Sequence, residues 1–564
     1  MNRFRVTAAA ALLSALSVCI SRELTTPGAA AALTAAESIY ADLVDAQGIV
    51  DAIDSGLFAQ YSGKDQRDWD AELKALHERL VVSLASISET GLTKADARVL
   101  AVLRRKLDTI QPSEKDPRDL RCTDAQRKEL PRAALSAALT SCFTEIANNL
   151  EFEGQRLDRV AALGRLHTIV EPERRKMLFL SFQPLWRAIN GQNEADSAYR
   201  RLIQLAADEH PRGSPIEAAA RTLGVTTAQV DDWLVRILET WSTATAGESV
   251  EPWDYRYASS AADRALSGTV PLALMLGIDH RYYRDLGVDL DALGVIYDLH
   301  PRANKSSVAY TDFLIHGRWG GSRWQPTIAR VLATYHDGSL GSLNELVHEN
   351  GHAVHISAIR NRPVFVDWND DVFVEAFADV PAWSLYEPAW QRRYLGTAAP
   401  EGDALRALYG SVMLDVAWAL FEARMLRNPA SDPNAVWTQI THRYLHIVPH
   451  PELSWWAVRG QLVHLPGYMV NYGLGAVLTA DLREHVRQQI GSFDTGNPRW
   501  YPWLSQNLLR YGSERDTASL LKQFLGRPVS ADALLAQLRR IGPTVHRNVA
   551  ALARRPPRDY PVPR

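Results

Sequence analysis

The sequence predicts a mainly α-helical protein with one small β-sheet. Apolar residues recur at three- and four-residue spacing in four stretches that each predict an amphipathic helix: 36–53, 69–87, 94–110 and 133–150. Turn residues rich in Gly, Pro and Ser separate these stretches. The best strand candidates lie in the segment 296–314. We therefore expect a helical N-terminal domain over residues 34–250 and a second domain over 251–553.

The two ends of the chain predict segments outside these domains. Residues 1–33 have the features of an export signal: two early arginines, an apolar run at 6–20 and small residues at 29–31. The protein is therefore expected to be periplasmic or secreted. Cys19 lies in a weak lipoprotein-like context, so lipid anchoring is an alternative. Residues 554–564 are rich in Pro and Arg and predict a mobile tail.

Composition excludes some partners. The chain has 564 residues, 46% hydrophobic and 23% charged, with a formal net charge of −3, so no basic field favours nucleic acid. Residues 216–234 have a helix-turn-helix pattern, but any two short helices joined at a glycine share it. No segment after the leader has the 18 apolar residues that predict a transmembrane helix. Cys122 and Cys142 are either a disulfide, if the chain is exported, or two buried thiols.

The most informative motif is HENGH at residues 348–352. On a helix, His348 and His352 share a face, and Glu349 can reach a water bound to the same metal. We expect this helix to begin with Ser342 as N-cap, because Glu345 follows three residues later. Gly351 inside the helix indicates close packing against another backbone or a substrate. The alternative is a chance pattern on a surface helix.

A hydrolytic zinc site needs a third protein ligand and leaves a fourth position for water. Glu375, which is 23 residues after His352, and Asp379 lie on one face of a second predicted helix. Glu375 is predicted as the third ligand, with Asp379 accepting a hydrogen bond from a ligand histidine. Apolar neighbours in this helix favour burial over the alternative of two solvated surface acids.

Several segments resemble the thimet oligopeptidase family of zinc metallopeptidases (gluzincins), with weaker similarity to angiotensin-converting enzyme. These are the YDLHPRANK segment at 297–305, HENGHAVH at 348–355, HLPGYMVNY at 464–472 and LKQFLGRPVS at 521–530. Glu375 has the third-ligand spacing of the family, and the ordered set covers roughly residues 290–542. The resemblance implies a large helical body of two halves that encloses a deep cleft, with the small sheet beside the zinc helix.

The resemblance also implies a mechanism and substrates. One Zn²⁺ activates a water, Glu349 is the general base, and His464 with a tyrosine stabilises the oxyanion. Tyr472 is the first choice for that tyrosine and Tyr468 the second. Gly475 stands where the family commonly has another tyrosine, and Asn350 replaces a bulky residue. The expected substrates are oligopeptides.

Two alternatives stay open on sequence alone. A carboxydipeptidase of the converting-enzyme type would need a cation for the free carboxylate of its substrate, and Arg459 or Lys522 could supply it. A catalytically idle peptide-binding scaffold would keep the fold without the reaction. The second alternative predicts a broken ligand set or a missing base, whereas His348, His352, Glu375 and Glu349 are all present.

Overall fold

The mainly α-helical architecture predicted from the sequence is confirmed. The structure is a computed structural model that describes residues 28–54, 68–109, 120–209, 215–247, 249–301, 305 and 308–541. The predicted tail at 554–564, Cys19 and most of the predicted leader lie outside these ranges.

The N-terminal region consists of short and medium helices. They are α1 (Ala29–Asp54), α2 (Trp69–Ala85), α3 (Lys94–Thr109), α4 (Arg132–Cys142), α5 (Arg159–Thr168), α6 (Pro172–Leu180), α7 (Gln183–Asn190), α8 (Ala198–Asp208), α9 (Pro215–Leu223) and α10 (Thr227–Ala244). Helix α10 begins with a capping box between Thr226 and Gln229. Helices α9 and α10 account for the helix-turn-helix pattern in the sequence.

The second region holds the longer buried helices. They are α11 (Tyr255–Ser259), α12 (Ala261–Ala265), α13 (Leu272–Asp285), α14 (Leu290–Leu293), α15 (Leu340–Ala358), α16 (Asp371–Ala382), α17 (Pro388–Leu395), α18 (Glu401–Arg427), α19 (Pro433–Leu445), α20 (Gln461–His464), α21 (Met469–Ile490), α22 (Trp500–Asn507), α23 (Thr517–Leu525) and α24 (Asp532–Arg539). Helix α16 packs against α15 and α21, and α21 packs against α18.

The helix predicted over residues 133–150 is too long. Helix α4 ends at Cys142, and one π-helical turn, Phe143–Ala147, leads into a hairpin of β1 (Leu150–Phe152) and β2 (Gln155–Leu157). Glu153 and Gly154 have positive φ values of 51° and 74°, and this pair of left-handed residues closes a tight hairpin. The hairpin turn therefore ends the helix before residue 150, although the spacing of the apolar residues there is helical.

The small sheet lies beside the motif helix, as expected. Its strands are β3 (Ile296–Asp298), β4 (Tyr310–Ile315) and β7 (Ile328–Leu332), in the order β3-β7-β4, with β3 parallel and β4 antiparallel to β7. A separate hairpin joins β5 (Arg318–Gly320) to β6 (Arg323–Gln325). The segment 296–314 thus contained two of the three strands, and β7 was missed. Strands β4 and β7 both contact α15.

One hydrophobic core extends across both predicted domains. Its buried residues run from Cys122 to Ile541, so side chains from either side of residue 250 belong to the same core. A smaller core joins α1, α2 and α3 with Val364 and Phe365. Leu33, within the predicted leader, is 1% exposed in this smaller core, and residues 29–33 are helical.

The structure bears on two further predictions from the sequence, one about the cysteine pair and one about transmembrane helices. Cys122 and Cys142 form a disulfide, which resolves the choice between a bridge and two thiols. Among the described residues, α18 alone has the length and hydropathy of a membrane span, although the sequence predicted none. Of its most apolar window, 72% is buried inside the protein, and the helix carries the buried Glu422. Helix α18 therefore has the character of a core helix.

Candidate metal centre and peptidase site

The motif helix α15 begins one turn earlier than predicted. Ser339, not Ser342, is the N-cap, and its side chain accepts a hydrogen bond from the Ser342 N–H. Leu340 is 1% exposed, so burial of this residue extends the helix beyond the capping box that the local sequence offers. The two histidines of the motif then lie in the middle of α15, where the backbone is fixed on both sides.

The three predicted ligands converge. One ligand atom from each of His348, His352 and Glu375 lies within 4.8 Å of the other two. The two Nε2 atoms are 3.1 Å apart, and His348 Nε2 is 3.5 Å from Glu375 Oε2. Two imidazole nitrogens and one carboxylate oxygen form the donor set that catalytic zinc sites use. The residues present therefore fit Zn²⁺.

The close packing expected at Gly351 is present. A Cβ at this position would lie 2.7 Å from Ala378 Cα and 2.8 Å from the Ala378 carbonyl oxygen. Both are backbone atoms of α16, three residues beyond Glu375. The absent side chain thus lets α15 and α16 approach closely enough for Glu375 to meet the two histidines.

Asp379 orients the first histidine. Its Oδ1 atom is 2.7 Å from His348 Nδ1, so this nitrogen donates to the carboxylate and Nε2 faces the ligand cluster. The predicted role of Asp379 beside a ligand histidine matches this geometry. Nδ1 of His352 has no such partner among the described residues.

Glu349 is held by the sheet. It is 5% exposed, and Thr311 on β4 donates to its Oε2 atom at 2.7 Å and to its carbonyl oxygen at 2.9 Å. Burial raises the pKa of Glu349 to about 7, which suits a proton acceptor working near neutrality. Sequence reasoning missed Thr311, because its partner is 38 residues away and no local spacing connects them.

Asn350 connects α15 to α13 and β3 through hydrogen bonds. Its side chain donates to Asp279 on α13 at 2.7 Å and accepts from the Tyr297 hydroxyl on β3 at 2.8 Å. His280 Nε2 is 3.0 Å from the same hydroxyl. The polar residue between Glu349 and Gly351 is therefore accommodated by a buried hydrogen-bond network.

The wall opposite α15 carries the candidate tyrosines. The Tyr468 hydroxyl donates to Glu375 Oε1 at 3.2 Å, and the rings of Tyr468 and Tyr472 are 5.6 Å apart. Gly475 also faces α16, because a Cβ there would be 3.9 Å from Glu375 Cβ. His464 is exposed, and its imidazole makes no hydrogen bond with the ligands in the described part of the chain. Among the described residues, a hydrogen bond therefore links Tyr468 to the ligand set, Tyr472 packs beside Tyr468, and no hydrogen bond links His464 to the ligands.

A buried carboxyl group fixes the turn that carries Tyr468. Glu422 on α18 accepts from the Met469 N–H at 2.8 Å, at the start of α21. Gly467 has a φ of +99°, and Pro215 packs so closely that any Cβ there would clash. Sequence reasoning missed Glu422, although an acid among apolar residues in a core helix is a usable signal.

Comparisons with known proteins agree with this geometry. The sequence profile of peptidase family M3 matches residues 290–540. No curated protein matches the chain by sequence.

Solved structures share the fold over most of the chain. An M32 carboxypeptidase from Deinococcus radiodurans R1 has a TM-score of 0.57 at 14% identity, covering 90% of this chain and 98% of its own. A putative oligoendopeptidase F from Bacillus anthracis str. Ames gives 0.55 at 14% identity, covering 93% and 98%. PZ peptidase A gives 0.55 at 15% identity, covering 92% and 98%. The resemblance predicted from the sequence is thereby confirmed: residues 290–540 match the profile of peptidase family M3, and the chain shares its fold with solved peptidase structures.

Proposed function

We propose that the protein is an exported zinc metallopeptidase that hydrolyses peptide bonds of oligopeptides. The convergence of His348, His352 and Glu375, with Glu349 beside them, is the observation that carries the proposal. His348, His352 and Glu375 hold the ion, and Asp379 keeps His348 in the tautomer that a ligand needs. Zinc in such a site polarises the scissile carbonyl and lowers the pKa of water.

The chain's own groups supply the proton transfers. Glu349 accepts the proton of the attacking water at its Oε atoms and then delivers it to the leaving amine. Thr311 keeps the carboxylate of Glu349 in one position between these two transfers. The Tyr468 hydroxyl, which lies beside Glu375, is the side-chain donor best placed for the carbonyl oxygen of the substrate.

The resemblance to the thimet oligopeptidase family supports oligopeptides as substrates, because it implies a deep cleft between two helical halves. An extended peptide can enter a cleft of that kind, whereas a folded protein is excluded by its size.

Export is the second component of the proposal. The disulfide between Cys122 and Cys142 supports an oxidising compartment, where such bonds persist. Cell fractionation and N-terminal sequencing of the natural protein test this component. A mature chain that begins near residue 34 and lies outside the cytoplasm agrees with it, and an intact N-terminus in the cytoplasm contradicts it.

The catalytic proposal is tested by metal analysis together with hydrolysis of quenched fluorescent peptides. We expect one zinc per chain, turnover that a chelator abolishes, and recovery after zinc is added back. Glu349→Gln should retain zinc and lose nearly all turnover, since it keeps the shape of the side chain but cannot accept the proton. Zinc binding without turnover in the wild type would favour the idle scaffold, and normal turnover in Glu349→Gln would contradict the mechanism.

A carboxydipeptidase is the second candidate. Arg459, which lies beside the Tyr472 ring, favours it, because cleavage at a fixed distance from the C-terminus requires a cationic group for the free carboxylate of the substrate.

A further inference from the structure

The second histidine ligand depends on packing for its orientation. Asp379 fixes the ring of His348 through a hydrogen bond, whereas Nδ1 of His352 is buried and has no hydrogen-bond partner among the described residues. A ligand imidazole usually donates the proton on this nitrogen to an oxygen acceptor, and that bond sets the direction of the ring. For His352, neighbouring side chains have to limit the rotation of the ring instead.

Trp368 supplies this packing. The centre of its ring lies 5.7 Å from that of His352, with the two planes at 78°, which is an edge-to-face contact. Trp368 makes the same kind of contact with Phe313 on β4, at 5.1 Å and 76°. In the described part of the chain, the only other aromatic ring in contact with His352 is that of His348. The indole therefore lies between the sheet and the imidazole and restricts how far the imidazole can turn.

The residues before Trp368 belong to two hydrophobic cores. Val364 and Phe365 are buried in the small core of α1, α2 and α3. Val366 is buried with Ala353 in the core between the sheet and α15, and Trp368 packs against that second core. Because so few residues separate the two sets of side chains, a displacement of Phe365 also displaces Trp368.

Ion pairs attach the same segment to α1 and α3. The guanidinium of Arg362 donates two hydrogen bonds to the buried Glu37 on α1, at 2.9 and 2.6 Å. It donates a third to Asp96 on α3, at 2.6 Å. Lys106, also on α3, pairs with Asp367. Charge-assisted and bidentate bonds of this kind fix geometry well, so the first three helices hold the segment on one side.

A second element holds the segment on its other side. Asn369 donates to the carbonyl oxygen of Gly512, in the 3-10 helix Leu509–Glu514, at 2.7 Å. The backbone of Phe365 also approaches Gly512 so closely that any Cβ there would clash with it. If this contact fixed the segment by itself, loosening α1, α2 and α3 would leave Trp368 in place.

We propose that Trp368 positions the ligand His352, and that the docking of α1, α2 and α3 on residues 362–367 keeps Trp368 in place. The affinity for zinc and the docking of these helices are then coupled, and the coupling acts in both directions. This inference rests on the proposed function and gives helices of the N-terminal region a role in its metal centre. Trp368 acts through the packing of its ring and takes no part in the chemistry.

Two tryptophans of one core separate positioning from general packing. Trp368→Leu removes the ring that contacts His352, whereas Trp324→Leu removes an equal ring from the same core, where it contacts Trp319. Competition with a chromophoric chelator should show zinc binding about tenfold weaker in Trp368→Leu and nearly unchanged in Trp324→Leu. Trp368→Phe keeps an aromatic ring and should recover part of the affinity. Similar zinc affinities in the two leucine variants would overturn the positioning role.

Two arginines test the attachment of the first helices. Arg362→Glu places a carboxylate beside Glu37 and Asp96, so repulsion should undock the helices, while Arg105→Glu changes an exposed arginine of α3. Arg362→Glu should weaken zinc binding by about fivefold, the lower end of couplings between distinct sites, and Arg105→Glu should leave it unchanged. Unchanged zinc affinity in Arg362→Glu would overturn the coupling, because Leu509–Glu514 would then hold the segment by itself.

Hydrogen exchange measures the coupling in the opposite direction. Saturating zinc should slow amide exchange in α1, α2 and α3 of wild type by about fivefold or more, because zinc favours the docked state. In Trp368→Leu, saturating zinc should leave this exchange nearly unchanged, since the helices remain but their link to His352 is cut. Equal protection by zinc in wild type and Trp368→Leu would overturn the proposal, as would no protection in wild type.

These measurements need no substrate, so they separate this inference from the catalytic proposal. Zinc binding that weakens in Trp368→Leu, in a protein that hydrolyses no peptide, would refute the catalytic proposal and support the positioning role. Zinc-dependent hydrolysis with equal zinc affinities in Trp368→Leu and Trp324→Leu would do the reverse. A wild type that binds no zinc would refute both.

Discussion

Replacing Gly351 with alanine tests whether the metal site depends on the close approach of α15 and α16. The new Cβ would lie 2.7 Å from Ala378 Cα, whereas ordinary contacts begin at 3.4 Å. Because the opposing atoms are backbone, the helices must separate by about 0.7 Å. His348 and His352 would then move away from Glu375, since the ligands are on the two helices that separate.

The expected effect on zinc is larger than the effect on folding. Overpacking costs about 1–3 kcal/mol, and the better helix propensity of alanine offsets about 1 kcal/mol of it. Metal–ligand distances tolerate changes of only about 0.2 Å, so a shift of about 0.7 Å should weaken zinc binding by about tenfold or more. Competition with a chromophoric chelator measures this affinity, and thermal unfolding of the apo and zinc forms measures stability.

A second helical glycine provides the control. Among the described residues, no atom outside the local backbone of α13 lies within 4 Å of a Cβ built on Gly277. Gly277→Ala should therefore keep the zinc affinity of wild type and gain up to about 1 kcal/mol of stability. If Gly351→Ala bound zinc as wild type does and unfolded like Gly277→Ala, the packing argument would be refuted.

Three further predictions follow from the same contacts. Asp379→Asn should weaken zinc binding by about 10–100-fold in chelator competition, because His348 Nδ1 loses its anionic acceptor; unchanged affinity would contradict this. Tyr468→Phe should lower kcat by about 10²–10³, more than Tyr472→Phe does, and the opposite order would refute our assignment. Burial raises the pKa of Glu422 from 4.5 to about 8, so the folded state keeps a proton that the unfolded state loses. Stability should fall by a few kcal/mol as pH rises from 4.5 to about 8; urea unfolding of Glu422→Gln should lack this decline, and an unchanged slope would contradict it.

Local spacing explains why the ligand set could be predicted from the sequence. His348 and His352 are one helical turn apart, and Glu375 and Asp379 repeat the same spacing on α16. Each pair is placed by its own helix, whatever the rest of the fold does. The contact between α15 and α16 depends on tertiary packing, yet the glycine at position 351 already indicated close packing of α15 at this point. The predicted sheet followed similarly from strand signals, although β7 did not stand out.

Contacts between distant segments explain what the sequence could not predict. The start of α15 at Ser339 depends on burial of Leu340, which outweighs the capping box at Ser342. Thr311 meets Glu349 because β4 packs on α15, and Glu422 meets Met469 because α18 packs against α21. None of these pairs has a sequence spacing that an amphipathic pattern can reveal.

The order of the two tyrosines shows the same limit and suggests how their work divides. Tyr468 and Tyr472 are one turn apart, so spacing places both on one face of α21 and cannot rank them. The turn at Gly467, held by Glu422, puts Tyr468 at the very start of the helix, where its hydroxyl reaches Glu375. Tyr472 is one turn further on, and its ring faces the guanidinium of Arg459. Loss of the Tyr468 hydroxyl should therefore slow cleavage more than loss of the Tyr472 ring, which holds the guanidinium of Arg459 in place.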